Sequence, residues 1–445
     1  MKALKRFGAA LVTLLALAAV LTGTALAAEP ESISVQLNGE PIAFTDAVPE
    51  SSDGRTFVPL RAVLEAMDAQ VDYANGAVDI HRGGVDLSMV LGQNTAAVTE
   101  DGQTRTMTMD VVPYVKNDRT YVPVRFVAEA FGCSVGWDND TKTVIIADID
   151  ALFGDATFDL MDNFAAYCDK QDAGNMALTG TLSLDIADST GGMLVKPVSA
   201  KGSIDGITSD TGAQLNWSLS LSDPSKVLGD TLPQGIIAAL SDLKGEVRMD
   251  METPSIYLTL PAALTGAQQD TWYSLDLGAY QAQLFSGLDM TQLTQLEDAG
   301  IHEALTAVLQ SIPLNDSETS YAALAQVTEL YVAMLSDQAF TQKGDAYVAE
   351  MKLVDMVDVV ITLTKRGDDI VAVDIKMDCT VEEDGQKVVM TMSEYAAPDK
   401  VTVDMGMEMA ADGVSVKLDL DLAGVPTQKT PETVPPAGAA VTPLS

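Results

Sequence analysis

Histidine, cysteine, serine and carboxylate side chains carry most protein chemistry, and in this chain they are scarce or wrongly spaced. His81 and His302 are its two histidines. His302-Glu303-Ala304-Leu305-Thr306 begins as a zinc-protease H-E-x-x-H helix would, but Thr306 stands where the second imidazole is required. Gly202-Ser203-Ile204-Asp205-Gly206 puts its serine one position early for the G-x-S-x-G elbow that presents a nucleophile. Cys133, Cys168 and Cys379 are odd in number and far apart. One pair could form, but small buried hydrophobes are expected rather than a disulfide framework. Glu382-Glu383-Asp384 and Asp368-Asp369 fall at expected hairpin turns, where acids are common for conformational reasons. Carboxylate pairs for glycoside chemistry could stand among the 64 acidic residues, yet no spacing singles any out. No catalytic, metal-binding or cofactor-binding residue is assigned and no cofactor is expected. The chain reads as nonenzymatic.

The charge balance narrows the partners. Lys and Arg number 26 against 64 Asp and Glu, a formal charge of -38 over 445 residues. A polyanion needs a basic footprint to displace its counterions, so nucleic acid is not an expected partner. Charge-driven docking on an anionic membrane fails for the same reason. With 47% hydrophobic residues the chain has material for packed cores, and wholesale disorder is excluded. Lys2, Lys5 and Arg6, an apolar run from Phe7 and the A-x-A site Ala25-Leu26-Ala27 read as a secretory signal peptide over residues 1–27. The expected mature protein begins at Ala28, is extracellular or held at the cell surface, and is not an integral membrane protein after cleavage. No cysteine follows the apolar run, so lipid anchoring is not expected.

Residues 55–73 read RTFVPLRAVLEAMDAQVDY and residues 119–137 read RTYVPVRFVAEAFGCSVGW, in constant register at 64 positions. Arg55/Arg119, Pro59/Pro123, Arg61/Arg125, Glu65/Glu129 and Ala66/Ala130 are among the identical pairs. The match is a duplicated unit. In each copy a short strand should end at proline, which opens a helix as its first residue. Leu60, Val63, Leu64 and Met67 follow i, i+3, i+4, i+7 spacing, as do Val124, Val127, Ala128 and Phe131. Gly132 can close the second helix in a left-handed conformation, with Asp68 at that place in the first. A hairpin follows each helix.

These residues resemble a known family. The R-T-[FY]-V-P-[LV]-R-x-V-x-E-A signature followed by V-x-[WY] is similar to the bacterial stalk domain, also called the copper amine oxidase N-terminal-like domain, over about residues 31–149. The resemblance implies a small antiparallel sheet twisted around helices and a secreted, wall-facing location. It does not imply amine oxidation, which belongs to a separate domain with three copper-binding histidines and a tyrosine that becomes a quinone. Arg61 and Arg125 could bind a carboxylate or sugar, but pairing with acidic neighbours is the favoured reading.

From about residue 155 the pattern changes. Phe158–Cys168 reads as a short amphipathic helix, and long period-two alternation follows. Leu178, Leu182, Leu184 and Ile186 alternate with polar residues, as do Val401, Val403, Met405, Met407 and Met409. Such strands bury one face and wet the other, as antiparallel sheets do. A helical insert at about 281–342 should cover the apolar side. No Lys or Arg occurs from 249 to 342, a stretch read as a solvated acidic surface or a docking place for a basic partner. The five prolines from 425 to 445 suggest a disordered tail.

The expected architecture is therefore α+β. A duplicated unit, 28–149, has a small antiparallel sheet and two short helices; a larger one-sided antiparallel sheet, 155–424, is covered by helices. The favoured function is a stalk-like structural or interaction module on a wall-associated protein, with cell-wall components or a surface protein as partners. The alternative makes the C-terminal region a carrier of a lipid or other hydrophobic ligand. Its outline is similar in architecture to LolA-like lipoprotein carriers, and its methionines suit varied apolar ligands.

Overall fold

A computed structural model describes residues 32–444, apart from 53, 75, 101, 172–173, 191–196, 223–236, 238–239, 266–270, 277–299, 354–355 and 384–385. The signal segment, the start of the helical insert and the Asp384-Gly385 turn lie outside the described residues. The chain is strand-rich, with few helices and mainly antiparallel sheets. It divides into two compact units; of the described residues the first takes 32–156 and 300–332, and the second takes 157–276 and 333–444.

The first unit holds the duplication. In chain order it runs β1 (Ser34–Leu37), β2 (Glu40–Pro41), β3 (Glu50–Ser52), β4 (Arg55–Pro59), α1 (Leu60–Ala66), β5 (Gln70–Ala74) and β6 (Ala77–Arg82). Next come β7 (Val85–Val90), β8 (Thr95–Glu100), β9 (Gln103–Thr108), β10 (Tyr114–Lys116) and β11 (Arg119–Pro123). The second copy ends with α2 (Val124–Ala130), β12 (Ser134–Asp138), β13 (Thr143–Ala147) and α3 (Ile149–Phe153). β4 and β11 pair antiparallel with Val58 opposite Val122, the same place in both copies. The repeats thus meet about a local pseudo-twofold axis.

That axis extends the duplication beyond its sequence signature. Arg55 pairs with Asp110 and Arg119 with Asp46, so each copy's arginine meets the other copy's aspartate. Asp46 and Asp110 are again 64 residues apart, inside Asp46-Ala47-Val48-Pro49 and Asp110-Val111-Val112-Pro113. Pro59 and Pro123 are extended and sit at the N-cap, one residue earlier than expected. Asp68 (φ 59°) and Gly132 (φ 76°) take the left-handed conformation after their helices. Val63, Leu64, Val127 and Ala128 are fully buried in the shared core.

The hairpins then diverge. β5 and β6 join a five-stranded sheet in the order β5-β6-β7-β8-β9, whereas β12 and β13 join β1 and β2. The β12 hairpin also receives a segment expected elsewhere. Helix Ile301–Gln310 and the start of helix Ser320–Leu335 belong to this first unit, which corrects the reading that they cover the large sheet. Gln310 donates to the Gly132 carbonyl, and Ser317 donates through backbone N–H and hydroxyl to Asp138, at 2.9 and 2.6 Å. A Cβ on Gly136 would sit 1.7 Å from the Leu314 carbonyl oxygen, so only glycine admits this approach. The first copy carries Asp72 and Ala74 where the second has Gly136 and Asp138. One hairpin therefore received the segment and its twin did not. Apolar helix periodicity identifies a buried face without naming the surface that buries it.

The second unit opens with α4 (Asp159–Lys170) and builds one sheet. Its first strands are β14 (Asn175–Asp188), β15 (Val198–Ser209), β16 (Gly212–Leu221), β17 (Leu243–Asp250), β18 (Ser255–Leu260) and β19 (Thr271–Asp276). Then come β20 (Thr341–Lys343), β21 (Ala346–Leu353), β22 (Val357–Arg366), β23 (Asp369–Glu383) and β24 (Gln386–Ala397). β25 (Lys400–Ala411), β26 (Val414–Thr427) and β27 (Val441–Pro443) complete it. The chain starts in the middle of the sheet at β14, meanders outward to β19, restarts at the far edge and returns to pair β26 with β14. The neighbours are antiparallel except β19 and β27.

The tail is not disordered, which corrects the compositional reading. Residues 425–427 finish β26, and β27 lies parallel to β19 at the sheet edge, where a proline's missing N–H is tolerated. Arg248, only 5% exposed, holds the intervening stretch by donating to the Val434 carbonyl and pairing with Glu432. Its guanidinium also lies 5.1 Å from the centre of the Trp272 ring.

Replacing Gly136 with Asp, the residue of the first copy, should cost about 1–3 kcal/mol or more by forcing Leu314 away. The reverse change at exposed Asp72 should cost about 1 kcal/mol at most. Urea unfolding followed by Trp137 fluorescence in a Trp217→Phe, Trp272→Phe background measures both.

Candidate functional site

Alternation gives the large sheet two chemically opposite faces. Thr181, Ser183, Asp185, Asp404, Asp419 and Asp421 lie on one, hydrogen bonding across strands in places, as Thr181 does to Asp421 at 3.1 Å. Leu182, Leu184, Met405, Met407, Leu418 and Leu420 lie on the other, directly opposite one another in register. A face of this composition needs a cover.

α4 supplies part of it. Met161, Phe164 and Cys168 form its buried side, and it packs against β23. Asn163 fixes its position, donating to the Asp368 carbonyl and accepting from the Ile370 N–H at 2.6 Å. Asp337 caps its start, accepting from the N–H groups of Asp159 and Leu160. In this neighbourhood the face is closed: Val359, Ile361, Leu363, Val371 and Val373 are buried.

Over the next strands, β24 to β26 and β14, the same face is open. Met390, Met405 and Met409 are 37–42% exposed, and Met392, Met407, Leu418, Leu420, Leu182 and Leu184 are half-buried. At the border between the closed and open regions stands a carboxylate. Glu394 shares its face with Met390, Met392 and Ala396, and its cross-strand partners are Ile375 and Val403. It is 5% exposed, with no hydrogen bond or ion pair among the described residues. Burial raises its carboxyl from 4.5 to about 7. The alternation that marks Val403 and Met405 in the sequence does not mark Glu394, because one acid in a period-two run reads as a wet position. The signal was its parity: it falls in the apolar phase of β24.

The residues singled out in the sequence take structural positions. Arg125 lies 3.8 Å from Glu129 on an exposed surface, and Arg61 lies over the Tyr73 ring at 5.9 Å. Burial raises the Glu129 carboxyl above its ordinary value, with Arg125 opposing. His302 packs its ring tilted against Phe153, 4.6 Å between ring centres. Ser203 meets Ser218 on the polar side of the sheet at 2.8 Å. The three cysteines are free and buried, and burial pushes the Cys133 thiol up to about 12. No group of three or more metal-ligating side chains is assembled among the described residues. A shallow open depression of about 280 Å³ beside Leu37, Ile42 and Ala62 offers one carboxylate, Glu40. Asp138 is a structural acid. Burial would raise its carboxyl, but donors from Ser317 and Thr141 hold it well below the usual carboxylate range.

A family model matches part of the chain. Residues 36–146 match the family described as the copper amine oxidase N-terminal domain. This is the duplicated module, and that domain is non-catalytic. A curated relative from Brevibacillus choshinensis, named "Protease inhibitor", is 28% identical over 151 residues, 33% of this chain. The match spans 45% of that relative's length. Among solved structures, the translocator domain of the autotransporter NalP from Neisseria meningitidis is 8% identical, covering 59% of this chain and 93% of its own, with a TM-score of 0.17. A putative outer membrane protein from Bacteroides fragilis is 7% identical over 57% of this chain and 98% of its own, with a TM-score of 0.10. Among the described residues no helix is long and apolar enough to cross a membrane.

The sign of the Glu394 effect is fixed by the direction of its shift. A carboxyl whose folded value is raised stabilises the fold fully below the unfolded value near 4.5, and that contribution is lost as pH rises through about 7. Wild-type stability should therefore fall by roughly 3 kcal/mol across this window from Glu394 alone. Glu394→Gln should remove that fall and raise the melting temperature at pH 8, as differential scanning calorimetry from pH 4 to 8 would register.

Proposed function

We propose that this is an exported, nonenzymatic binding protein whose duplicated module is a structural stalk and whose large sheet receives a hydrophobic ligand. The observation that carries the reading is the open apolar face of β24–β26 and β14. Its methionines and leucines stay half-buried while the same face is sealed beneath α4. Unbranched thioether side chains adapt to ligands of different shapes at little strain. An exposed apolar surface on an otherwise acidic, soluble chain is costly unless something occupies it.

The stalk reading rests on the family match over residues 36–146 and on the absorption of its conspicuous polar residues into the fold. Arg55 and Arg119 are used in linking the two copies, and Asp138 in holding the 301–321 segment. Export rests on the basic start, the apolar run and Ala25-Leu26-Ala27. A wall-facing position, with cell-wall components or a surface protein as partners of the stalk, follows from the resemblance. Acidic groups on the polar side of the sheet keep that side wet and away from polyanions.

Native mass spectrometry of protein purified from its host should reveal a non-covalent apolar adduct, displaced by excess fatty-chain detergent. Met405→Asp, which puts a charge in the open face, should remove the adduct and leave the stalk's melting transition unchanged. Adduct-free spectra across gentle preparations would contradict the ligand reading.

A further inference from the structure

One buried acid stands in the apolar phase of β24, and it is placed where the closed region begins. β24 sets Glu394 in line with Met392 and Met390, and β25 brings Val403 and Met405 alongside. A carboxylate removed from water loses hydration that must be replaced, and a 95% buried side chain without a partner lacks that replacement. The opposite face of the sheet was available: a shift of one residue in β24 would have put Glu394 in the place of Ser393, between Lys376 and Asp404. Tyr395 and Ser393 occupy that polar phase instead.

Resting on the ligand reading above, we infer that Glu394 is the headgroup acceptor for a single-chain amphiphile bearing a primary amine. The alkyl chain lies over Met392, Met390, Met405 and Met407, and the ammonium donates to the Glu394 carboxylate at the border of the closed region. The pairing is charge-assisted and sheltered from water, the setting in which such a bond is strongest. An alcohol of the same length gains the apolar contacts and one weaker hydrogen bond. A fatty carboxylate brings a like charge to the site.

Isothermal titration of the full chain at pH 7.4 with decylamine, decanol and decanoate, each below its aggregation concentration, tests this. Wild type should bind decylamine at least about tenfold more tightly than decanol, with decanoate weakest. Glu394→Gln and Glu394→Met should bring decylamine to within about twofold of decanol, with decanol weakened far less than decylamine because it loses at most one neutral hydrogen bond, and with circular dichroism confirming the fold. Equal binding of all three by wild type, or an amine preference that survives both substitutions, would overturn the headgroup assignment and leave the apolar site standing. Failure of all three ligands to bind would sink both.

Discussion

One constraint governs the larger unit: a β-strand turns alternate side chains to opposite sides, so a sheet built from period-two sequence has an apolar face to cover. β14 through β26 follow that rule for the length of the sheet, and α4 meets it over β23. The polar side needs no cover. It is rich in aspartate and serine, and cross-strand bonds such as Ser203 to Ser218 or Thr181 to Asp421 order it without dehydrating it. The remaining apolar side, with methionine along β24 and β25, is where the functional account rests. Glu394 matters because it breaks the rule there.

The duplicated unit obeys a different constraint, the meeting of two copies about Val58 and Val122. Reciprocal pairing of Arg55 with Asp110 and Arg119 with Asp46 follows from that axis, because each arginine opens a strand that pairs antiparallel with its twin. Symmetry is then broken at one point. Gly136 and Asp138 in the second hairpin accept the 310–321 segment, whereas Asp72 and Ala74 in the first leave it in solvent. A module whose charged residues are occupied in this way is well suited to be a rigid support.

Much of this was legible in the sequence, where chemistry acts over short distances. Helix spacing identified Val63 and Val127 as core residues, and the left-handed end at Gly132 followed from its residue type and place, whereas Asp68 takes the same conformation without being glycine. Strand alternation gave the sides of the sheet. Long-range choices were not legible. Nothing in Ile301–Gln310 specifies which apolar surface will receive it, and the proline-rich tail gave no sign of the Arg248 anchor, because both depend on partners more than a hundred residues away. Asp46 and Asp110 were available in the 64-residue register but lie upstream of the conspicuous signature. Glu394 required parity to be read through an acidic residue, against the habit of assigning acids to the wet phase.

The most direct measurement is a methionine-methyl NMR titration of ¹³C-labelled protein with a decyl-chain amphiphile. Met390, Met392, Met405, Met407 and Met409 on the open face should shift together and saturably, while Met67 and Met89 in the stalk core stay fixed. Shifts absent from the sheet methionines, or spread equally over the stalk core, would contradict the account.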